Sequence, residues 1–387
     1  MKILFIIYSD LSQNTGQKIH VKELVENLEK IGNNITLISR KGNFKDIKVS
    51  KLYWYDYSIN SSFIVKWFYY FFSLILFLFR ILTNIKHVDI IYFRNYKLGF
   101  IVAIFKSLFR RKAVFEANGL SSAELELGRT GSFVKLMVKI YRFNEKITLT
   151  NSDKIISVTK TLKEIFINQY KIKREKIVIV NNGANTDLFR PLNKSILLKE
   201  MGFEQDYYYI GFAGSYKPWH DLVYLIDNAL YVIKFIPNTK FILIGDGECK
   251  LDIIKKVKEL NLSNFFIFIN SIPYEEVPKY INIFDIGLIL KNNNIPGSPL
   301  KLWEYMACGV PIIASNSSDF DMLLKYKFGI LTNHTNDFNL GKTIVNLLRD
   351  NELRNKMGLN ARKCLLKFNN WNEISKKIYK AITDEIN

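Results

Sequence analysis

Short apolar runs rich in Ile, Val and Phe recur along the whole chain, and the intervals between them carry helical periodicity. In the first half the runs are residues 3–7, 35–38, 89–93, 113–117, 154–158 and 176–180. In the second half they are 208–212, 240–245, 264–269, 285–290, 310–314 and 329–332. Between the first two, Val21, Leu24, Val25, Leu28 and Ile31 repeat at spacings of three and four until Gly32, the pattern of a buried helix face. Strands alternating with helices build parallel sheets covered on both faces, whose ligands gather beyond the carboxyl ends of the strands. A chain of 387 residues is too long for one typical core, so two such units are expected. Residues 181–193, NNGANTDLFRPLN, cluster Asn, Gly and Pro between the halves and read as a linker.

Charge narrows the partners. A formal net charge of +19 calls for an anionic partner: nucleic acid, an anionic membrane face or a phosphorylated substrate. Cys249, Cys308 and Cys364 have neither C-x-x-C spacing nor a disulfide framework, which fits a reducing compartment. The apolar residues 3–8 end at Ser9-Asp10 and read as a first strand, not a secretory signal.

Two stretches of the first half stand apart. Residues 63–82, FIVKWFYYFFSLILFLFRIL, are apolar except for Lys66, Ser73 and Arg80, and their uncharged middle is shorter than the roughly 20 residues of a spanning helix. In 100–112, Ile101, Ile104, Phe105 and Leu108 run into Arg110-Arg111-Lys112. Apolar bulk beside Lys and Arg describes a helix lying in a membrane interface. A core helix with a solvated basic end, and a true span, are the alternatives.

The densest chemistry lies in 292–315, NNNIPGSPLKLWEYMACGVPIIAS. Gly297-Ser298-Pro299 reads as a turn, with Ser298 as N-cap and Pro299 at the first helical position. Leu300, Trp303 and Ala307 share a helical stripe, Gly309 ends the helix, and 310–314 suits a buried parallel strand. Free N–H groups at that helix start make an anion site, to which Lys301 adds a full charge. With Glu304 one turn on, phosphate and polyol together would suit a nucleotide sugar. A buried helix with one capped loop is the plainer alternative.

Other turns carry weaker signals. Gly16 falls in the loop after the first strand without GxGxxG spacing, and His20 reads as a cap or surface residue at the next helix start. Glu116, Asn118 and Glu124 surround Gly119 beyond the 113–117 strand, to contact a substrate or to cap a helix. In Ala213-Gly214-Ser215-Tyr216-Lys217-Pro218-Trp219-His220, Gly214 lets a loop approach phosphate and Lys217 supplies charge. Gly245-Asp246-Gly247-Glu248 reads as a tight turn with a helix N-cap. Asp319-Phe320-Asp321 has the letters of a metal-binding Asp-x-Asp, but after Ser317-Ser318 it reads as helix capping.

Four motifs carry a resemblance: NNGANTDLFRP at 181–191, FAGSYKPWHDL at 212–222, LIGDGE at 243–248 and SPLKLWEYMACGVPIIAS at 298–315. In order and spacing they are similar to glycosyltransferase family 4, the retaining group 1 transferases of GT-B architecture. The first half resembles the family only in pattern, through the opening strand, residues 16–20 and EANGLSSAELELG at 116–128.

The resemblance implies an α/β fold of two Rossmann-like parallel-sheet domains facing across a cleft. It places an acceptor domain at 1–185, a nucleotide-sugar domain at 186–368, and a helix at 369–387 returning to the first domain. The linker is then a hinge whose closure excludes water. Glu304 matches the glutamate that binds the ribose hydroxyls, and Ser298, Pro299 and Leu300 match the cradle of the diphosphate and sugar. Gly16 matches the glycine loop that approaches the donor phosphate, and the region of Ile272 and Pro273 matches the base-holding segment. Asn118 stands where many relatives have a histidine near the sugar.

Three departures accompany the match. Pro296 replaces the family's other glutamate, and Ser215 and His220 replace the arginine and lysine that flank the diphosphate. Lys217 and Lys301 are the cations placed to supply the missing charge.

The expected protein is a metal-independent, retaining glycosyltransferase without a cofactor, using a UDP- or GDP-linked sugar as substrate. Its expected acceptor is a membrane-associated, lipid-linked saccharide of surface polysaccharide or glycolipid synthesis. Its expected place is the cytoplasmic side, peripheral on an anionic inner membrane face, with no nucleic acid bound. A GT-B nucleotide-sugar epimerase and a non-enzymatic basic nucleic-acid-binding protein are the rivals. The latter lacks an RNA-recognition motif, zinc spacing or a helix-turn-helix signature.

Overall fold

A computed structural model describes the chain except for residues 12–15, 42–46, 54–62, 128–130, 292–295, 334–338 and 385–387, and the side chains of 10, 40–41 and 63–70. Its contacts divide it into two units, residues 1–182 with the final helix, and Gly183–Asn370.

The first unit opens with β1 (Lys2–Asp10), α1 (Gly16–Lys30), β2 (Asn34–Lys41), β3 (Lys51–Tyr53) and α2 (Phe63–Ile85). It continues through β4 (Ile90–Phe93), α3 (Gly99–Phe109), β5 (Lys112–Ala117), α4 (Ser121–Glu126) and α5 (Ser132–Asn151). β6 (Lys154–Ser157), α6 (Lys160–Asn168) and β7 (Ile177–Ile179) follow. The second unit runs α7 (Lys194–Glu200), β8 (Tyr208–Ala213), α8 (Leu222–Phe235), β9 (Thr239–Ile244), α9 (Lys250–Glu259) and β10 (Phe266–Ile269). Then come α10 (Val277–Ile283), β11 (Ile286–Ile289), α11 (Leu300–Cys308), β12 (Ile312–Ser315), α12 (Asp321–Lys325) and β13 (Gly329–Thr332). α13 (Asn339–Arg349) and α14 (Asn351–Phe368) close that unit, and α15 (Trp371–Thr383) packs on α1 and β6 of the first.

Both sheets are wholly parallel, in the orders β3-β2-β1-β4-β5-β6-β7 and β10-β9-β8-β11-β12-β13. Each reverses direction once, beside β1 in the first and β8 in the second. There the strand order leaves a crevice at the carboxyl ends. The runs that read as strands are strands because they are buried on both faces: Ile3 to Ile7 and Ile286, Leu288 and Ile289 are almost wholly removed from water.

The elements add to the sequence reading and depart from it in places. His20 is neither cap nor surface residue; it lies in the second turn of α1 and is buried. Gly16 is the first residue of α1 and not a loop residue, while Ile31 falls just past that helix and is only half-buried. The edge strand β3 lacks the long apolar run that the other strands carry. Residues 181–193 are built into the fold: Ala184 and Phe189 enter the second unit's core, and Arg362 Nη1 donates to the Phe189 carbonyl at 2.8 Å.

No helix among the described residues is long and apolar enough to cross a membrane. α2 buries Phe77, Ile81 and Ile85 and exposes Phe71, Phe72, Ile75 and Phe79. Part of it is therefore core, as the plainer reading had it, and part is an unburied apolar face.

Candidate active site

In the second unit, the loops leaving β8 and β11 meet at the point where the sheet changes direction. α11 starts at Leu300, one residue later than the sequence suggests. Pro299 is extended (φ −67°, ψ 132°) and stands just before the helix, as fits a residue that lacks an N–H. Ser298 does not cap; its hydroxyl accepts from Trp303 Nε1 at 3.1 Å, so its side chain is held by the helix's own first turn. Gly309 ends α11 in the left-handed conformation (φ 73°), as read. Tyr305 fixes the helix to the sheet, accepting from the Ala213 N–H at 2.9 Å.

Lys301 and Glu304 fall on one face of α11, three residues apart, and both are buried. The Lys301 ammonium sits 3.6 Å from the centre of the Phe212 ring and makes no hydrogen bond among the described residues. Burial pushes its pKa down to about 7 against the pull of Glu304. Burial likewise pushes Glu304 up to about 7, opposed by a hydrogen bond with Tyr274 and by Lys301. Two ionisable groups poised near neutrality, with one cation unpaired, form a site suited to an anion and to hydroxyl donors.

His220 flanks this pair. Its Nδ1 lies 2.6 Å from the Ser215 carbonyl and its ring meets Phe212 edge-on at 5.4 Å. Burial and then Lys301 hold its pKa down to about 3, so it is a neutral imidazole that donates to the Ser215 carbonyl from Nδ1 and leaves Nε2 as an acceptor. Ser215 is exposed beside it. Lys217 turns elsewhere: its ammonium is 3.4 Å from Glu248 and 5.8 Å from the Trp219 ring. Ile272 is half-buried against the core, two residues before the Tyr274 that reaches Glu304.

Gly214 has φ 151°, and a Cβ there would lie 2.6 Å from Lys301 Nζ. The missing side chain is therefore what admits the lysine. The turn after β9 locks onto this loop, backbone on backbone. The Gly214 N–H donates to the Ile244 carbonyl at 2.9 Å and the Tyr216 N–H to the Asp246 carbonyl at 2.9 Å. A Cβ on Gly245 would stand 2.1 Å from the Gly214 carbonyl oxygen, and one on Gly247 2.6 Å from that of Tyr216. The GDGE segment is thus a brace and supplies no N-cap: α9 begins after Cys249, which makes no capping bond. Asp319 and Asp321 stand in the first turns of a short 3-10 helix and of α12, as read, behind the side-chain cap of Ser317; the Asp319 carboxylate is buried 3.1 Å from the Lys291 ammonium just past β11. Among the described residues no group of His, Cys, Asp and Glu could hold a metal ion.

The first unit has its own polar cluster at the ends of β4 and β5. Glu116 is buried and accepts hydrogen bonds from Tyr92 Oη at 2.5 Å and Asn118 Nδ2 at 2.8 Å, with Arg94 Nε 3.1 Å and His20 Nε2 3.2 Å away as charge neighbours. Burial raises its pKa, but Arg94, His20, Tyr92 and Asn118 together outweigh that and hold it below the usual range. Burial and Arg94 keep His20 down at about 3, and its ring stands edge-on to Trp371 of α15 at 5.0 Å. Asn118 is half-buried with its amide nitrogen tied to Glu116, and Gly16 is exposed at the start of α1.

Glu304, Lys301, Ser298, Pro299, Leu300, Gly214, Ser215 and His220 thus surround the carboxyl ends of β8 and β11. Ile272 adjoins them through Tyr274. Sequence alone does not single out Phe212, whose ring lies under the Lys301 ammonium, Tyr274, which hydrogen-bonds Glu304, or the His20–Arg94–Glu116 cluster. An aromatic beside Pro273 and an arginine directly after β4 were the only available signals.

Comparison with known proteins agrees with this geometry. Residues 193–364 match the family model of glycosyl transferases group 1, and residues 14–188 that of glycosyltransferase family 4. A Candida albicans chitobiosyldiphosphodolichol beta-mannosyltransferase is 28% identical over 61% of this chain and 54% of its own length. An Escherichia coli UDP-Gal:alpha-D-GlcNAc-diphosphoundecaprenol alpha-1,3-galactosyltransferase is 25% identical over 58% of each. The match therefore spans little more than half of either relative. In fold, the crystal structure of Anabaena HepE with UDP and glucose superposes with a TM-score of 0.76 over 99% of both chains, at 18% identity. WaaG, a glycosyltransferase involved in lipopolysaccharide biosynthesis, gives 0.73 over 98% of this chain and 99% of its own, at 14% identity.

Proposed function

We propose, on the premise that this chain belongs to the group 1, family 4 glycosyltransferases of GT-B fold, that it moves a sugar from a nucleotide-sugar donor to a lipid-linked saccharide. The observation that carries the donor reading is the unpaired, buried ammonium of Lys301 beside Glu304 at the start of α11. Departure of a nucleoside diphosphate builds negative charge on its phosphates. A desolvated cation and the free N–H groups of a helix start are fixed where such charge can be stabilised without reorganisation. Glu304 takes the ribose hydroxyls, and Lys217 swings from Glu248 to add charge at the outer phosphate. No metal and no cofactor is required in this reading.

Two relatives support the acceptor, since their names each contain a saccharide on a lipid diphosphate. Asn118, beyond β5, is the first unit's residue assigned to the transferred sugar in this reading, on the family resemblance alone. The acceptor hydroxyl attacks from the side the leaving group departs, the departing phosphate takes its proton, and the anomeric configuration is retained. The protein works peripherally at the inner membrane face in surface polysaccharide or glycolipid synthesis.

A thermal-shift panel of UDP, GDP and their sugars tests the donor, because a ligand of the native state raises its melting temperature. Release of nucleoside diphosphate only when a lipid-diphosphate saccharide is added, with the product's anomeric configuration read by NMR, tests the transfer. Release without acceptor, or an isomerised free donor, would overturn it.

A further inference from the structure

α5 is built inside out for a helix that faces water. Its inward side carries Glu145, which is wholly buried and accepts from the Ser122 N–H at 2.9 Å, the Ser122 hydroxyl at 2.8 Å and the Tyr170 hydroxyl. Thr148 is buried beside it, donating to the Tyr96 carbonyl at 3.0 Å. The outward side carries Phe133, Leu136, Ile140 and Phe143, exposed by 74%, 55%, 45% and 63%. At roughly 100° per residue these four share a sector about 80° wide, and Lys135, Lys139, Arg142 and Lys146 share an adjoining sector about 60° wide. All four cations are exposed.

The neighbouring helix repeats the arrangement. α3 packs directly on α5, where Gly99 lets Thr148 approach so closely that a Cβ would lie 1.9 Å from its hydroxyl oxygen. α3 exposes Phe100, Ile104 and Leu108 in one row and runs into Arg110, Arg111 and Lys112. With α2, these helices hold eleven of the twenty-one large apolar side chains exposed among the described residues.

We propose that the α5 face, continued by α3, is the surface on which this protein sits in an anionic lipid bilayer. Phe133, Leu136, Ile140 and Phe143 enter the acyl boundary, and the lysine row meets lipid phosphates. The inference rests on the reading of a membrane-bound acceptor and adds where the chain meets that membrane. Charge selects the occupant. A second copy apposed on this face would bring one basic row against another, whereas an anionic leaflet satisfies both halves of the pattern. Nucleic acid would satisfy the cations and leave the apolar row in water.

The test uses the full chain and vesicles of phosphatidylcholine with or without about one third phosphatidylglycerol. The wild type is expected to sediment with the anionic vesicles. The pair Leu136→Asp with Phe143→Asp, checked for folding by circular dichroism, should lose at least tenfold in partitioning. The triple change Lys135→Gln, Lys139→Gln and Lys146→Gln should lose on the order of a hundredfold on anionic vesicles and little on neutral ones. The melting-temperature shift given by UDP or GDP should be the same in wild type and both variants. Partitioning unchanged in both variants overturns the proposal. So does a wild-type dimer, seen by sedimentation velocity, that the Asp pair dissociates. Vesicle binding that depends on this face in a protein with no nucleotide response would leave the surface standing and remove the transferase reading instead.

Discussion

The ammonium of Lys301 rests 3.6 Å above the ring of Phe212, with the achiral Gly214 beside it and no hydrogen-bond partner among the described residues. An aromatic face attracts a cation but replaces only part of its lost hydration. The second unit therefore retains a charge that its own fold stabilises poorly, and that an anion would stabilise well.

Lys301→Met should separate stability from function. Replacing a buried, unpaired cation by a chain of similar volume is expected to stabilise by about 1–3 kcal/mol. The pKa of Lys301 is lowered from 10.5 to about 7, so the cost it imposes is full below pH 7 and fades as pH rises toward the unfolded value. The gain in melting temperature should accordingly be larger at pH 6 than at about pH 9, while nucleoside diphosphate affinity falls at least tenfold. A variant that melts lower and binds as tightly contradicts the role given to this lysine.

Glu304→Ala removes the side chain proposed to hold the ribose hydroxyls. Loss of two charge-assisted hydrogen bonds should weaken nucleoside diphosphate binding by about 2–3 kcal/mol in titration calorimetry, with turnover falling in step. Unchanged affinity and turnover would place the donor elsewhere.

Binding should be strongest near neutral pH. Above about 7 the free protein's Lys301 loses its proton, and restoring it beside phosphate costs affinity as pH climbs. Below about 7 the free protein's Glu304 is protonated, and removing that proton to accept ribose hydroxyls costs affinity as pH falls. Calorimetry across pH should show both limbs. Glu304→Gln should flatten the acid limb to the background set by the ligand's own terminal phosphate, and Lys301→Met should flatten the alkaline one.

Gly214→Ala introduces a Cβ 2.6 Å from Lys301 Nζ at a backbone angle that side chains rarely adopt. An unfolding free energy lower by about 1–3 kcal/mol is expected in a denaturant melt. Nucleotide affinity should fall as well, because the lysine is pushed from its place. Gly131→Ala, also at positive φ but with open space around it, should show the backbone cost alone.

Glu116→Gln in the first unit leaves Arg94 and His20 buried around a neutral amide. Breaking a buried charge network by one partner should cost about 3–5 kcal/mol, read as a lower denaturant midpoint. Asn118→Ala, which removes only one of the four groups around Glu116, should cost far less and serves as the comparison.

The sheets were legible because their strands are continuous apolar runs that a parallel sheet buries on both faces; β12 and β13 could be placed within two residues. The three-residue β3 offered no such run, being held at an edge by register with β2. Of the site, Glu304, Lys301 and Gly309 could be read from one 24-residue stretch, since a helix start, its charges and its stop are local. What Phe212 does to Lys301 could not, because it depends on which strand end faces which helix. His20 misled for a related reason: a histidine near a helix start usually points to water, and its buried partners come from β4 and β5, far along the chain. α5 draws no reading from the sequence, because its apolar row faces outward while Glu145 and Thr148 lie on its buried side, the reverse of the usual pattern.

The backbone contact between Gly214 and Gly245 has an evolutionary corollary. No side chain can be added at 245 without moving the carbonyl of 214, and none at 214 without displacing the lysine. The two turns, thirty-one residues apart in the chain, are one unit of inheritance. A lineage that alters either must rebuild both, so changes in sugar preference are expected to accumulate in the side chains around this frame while its glycines stay fixed.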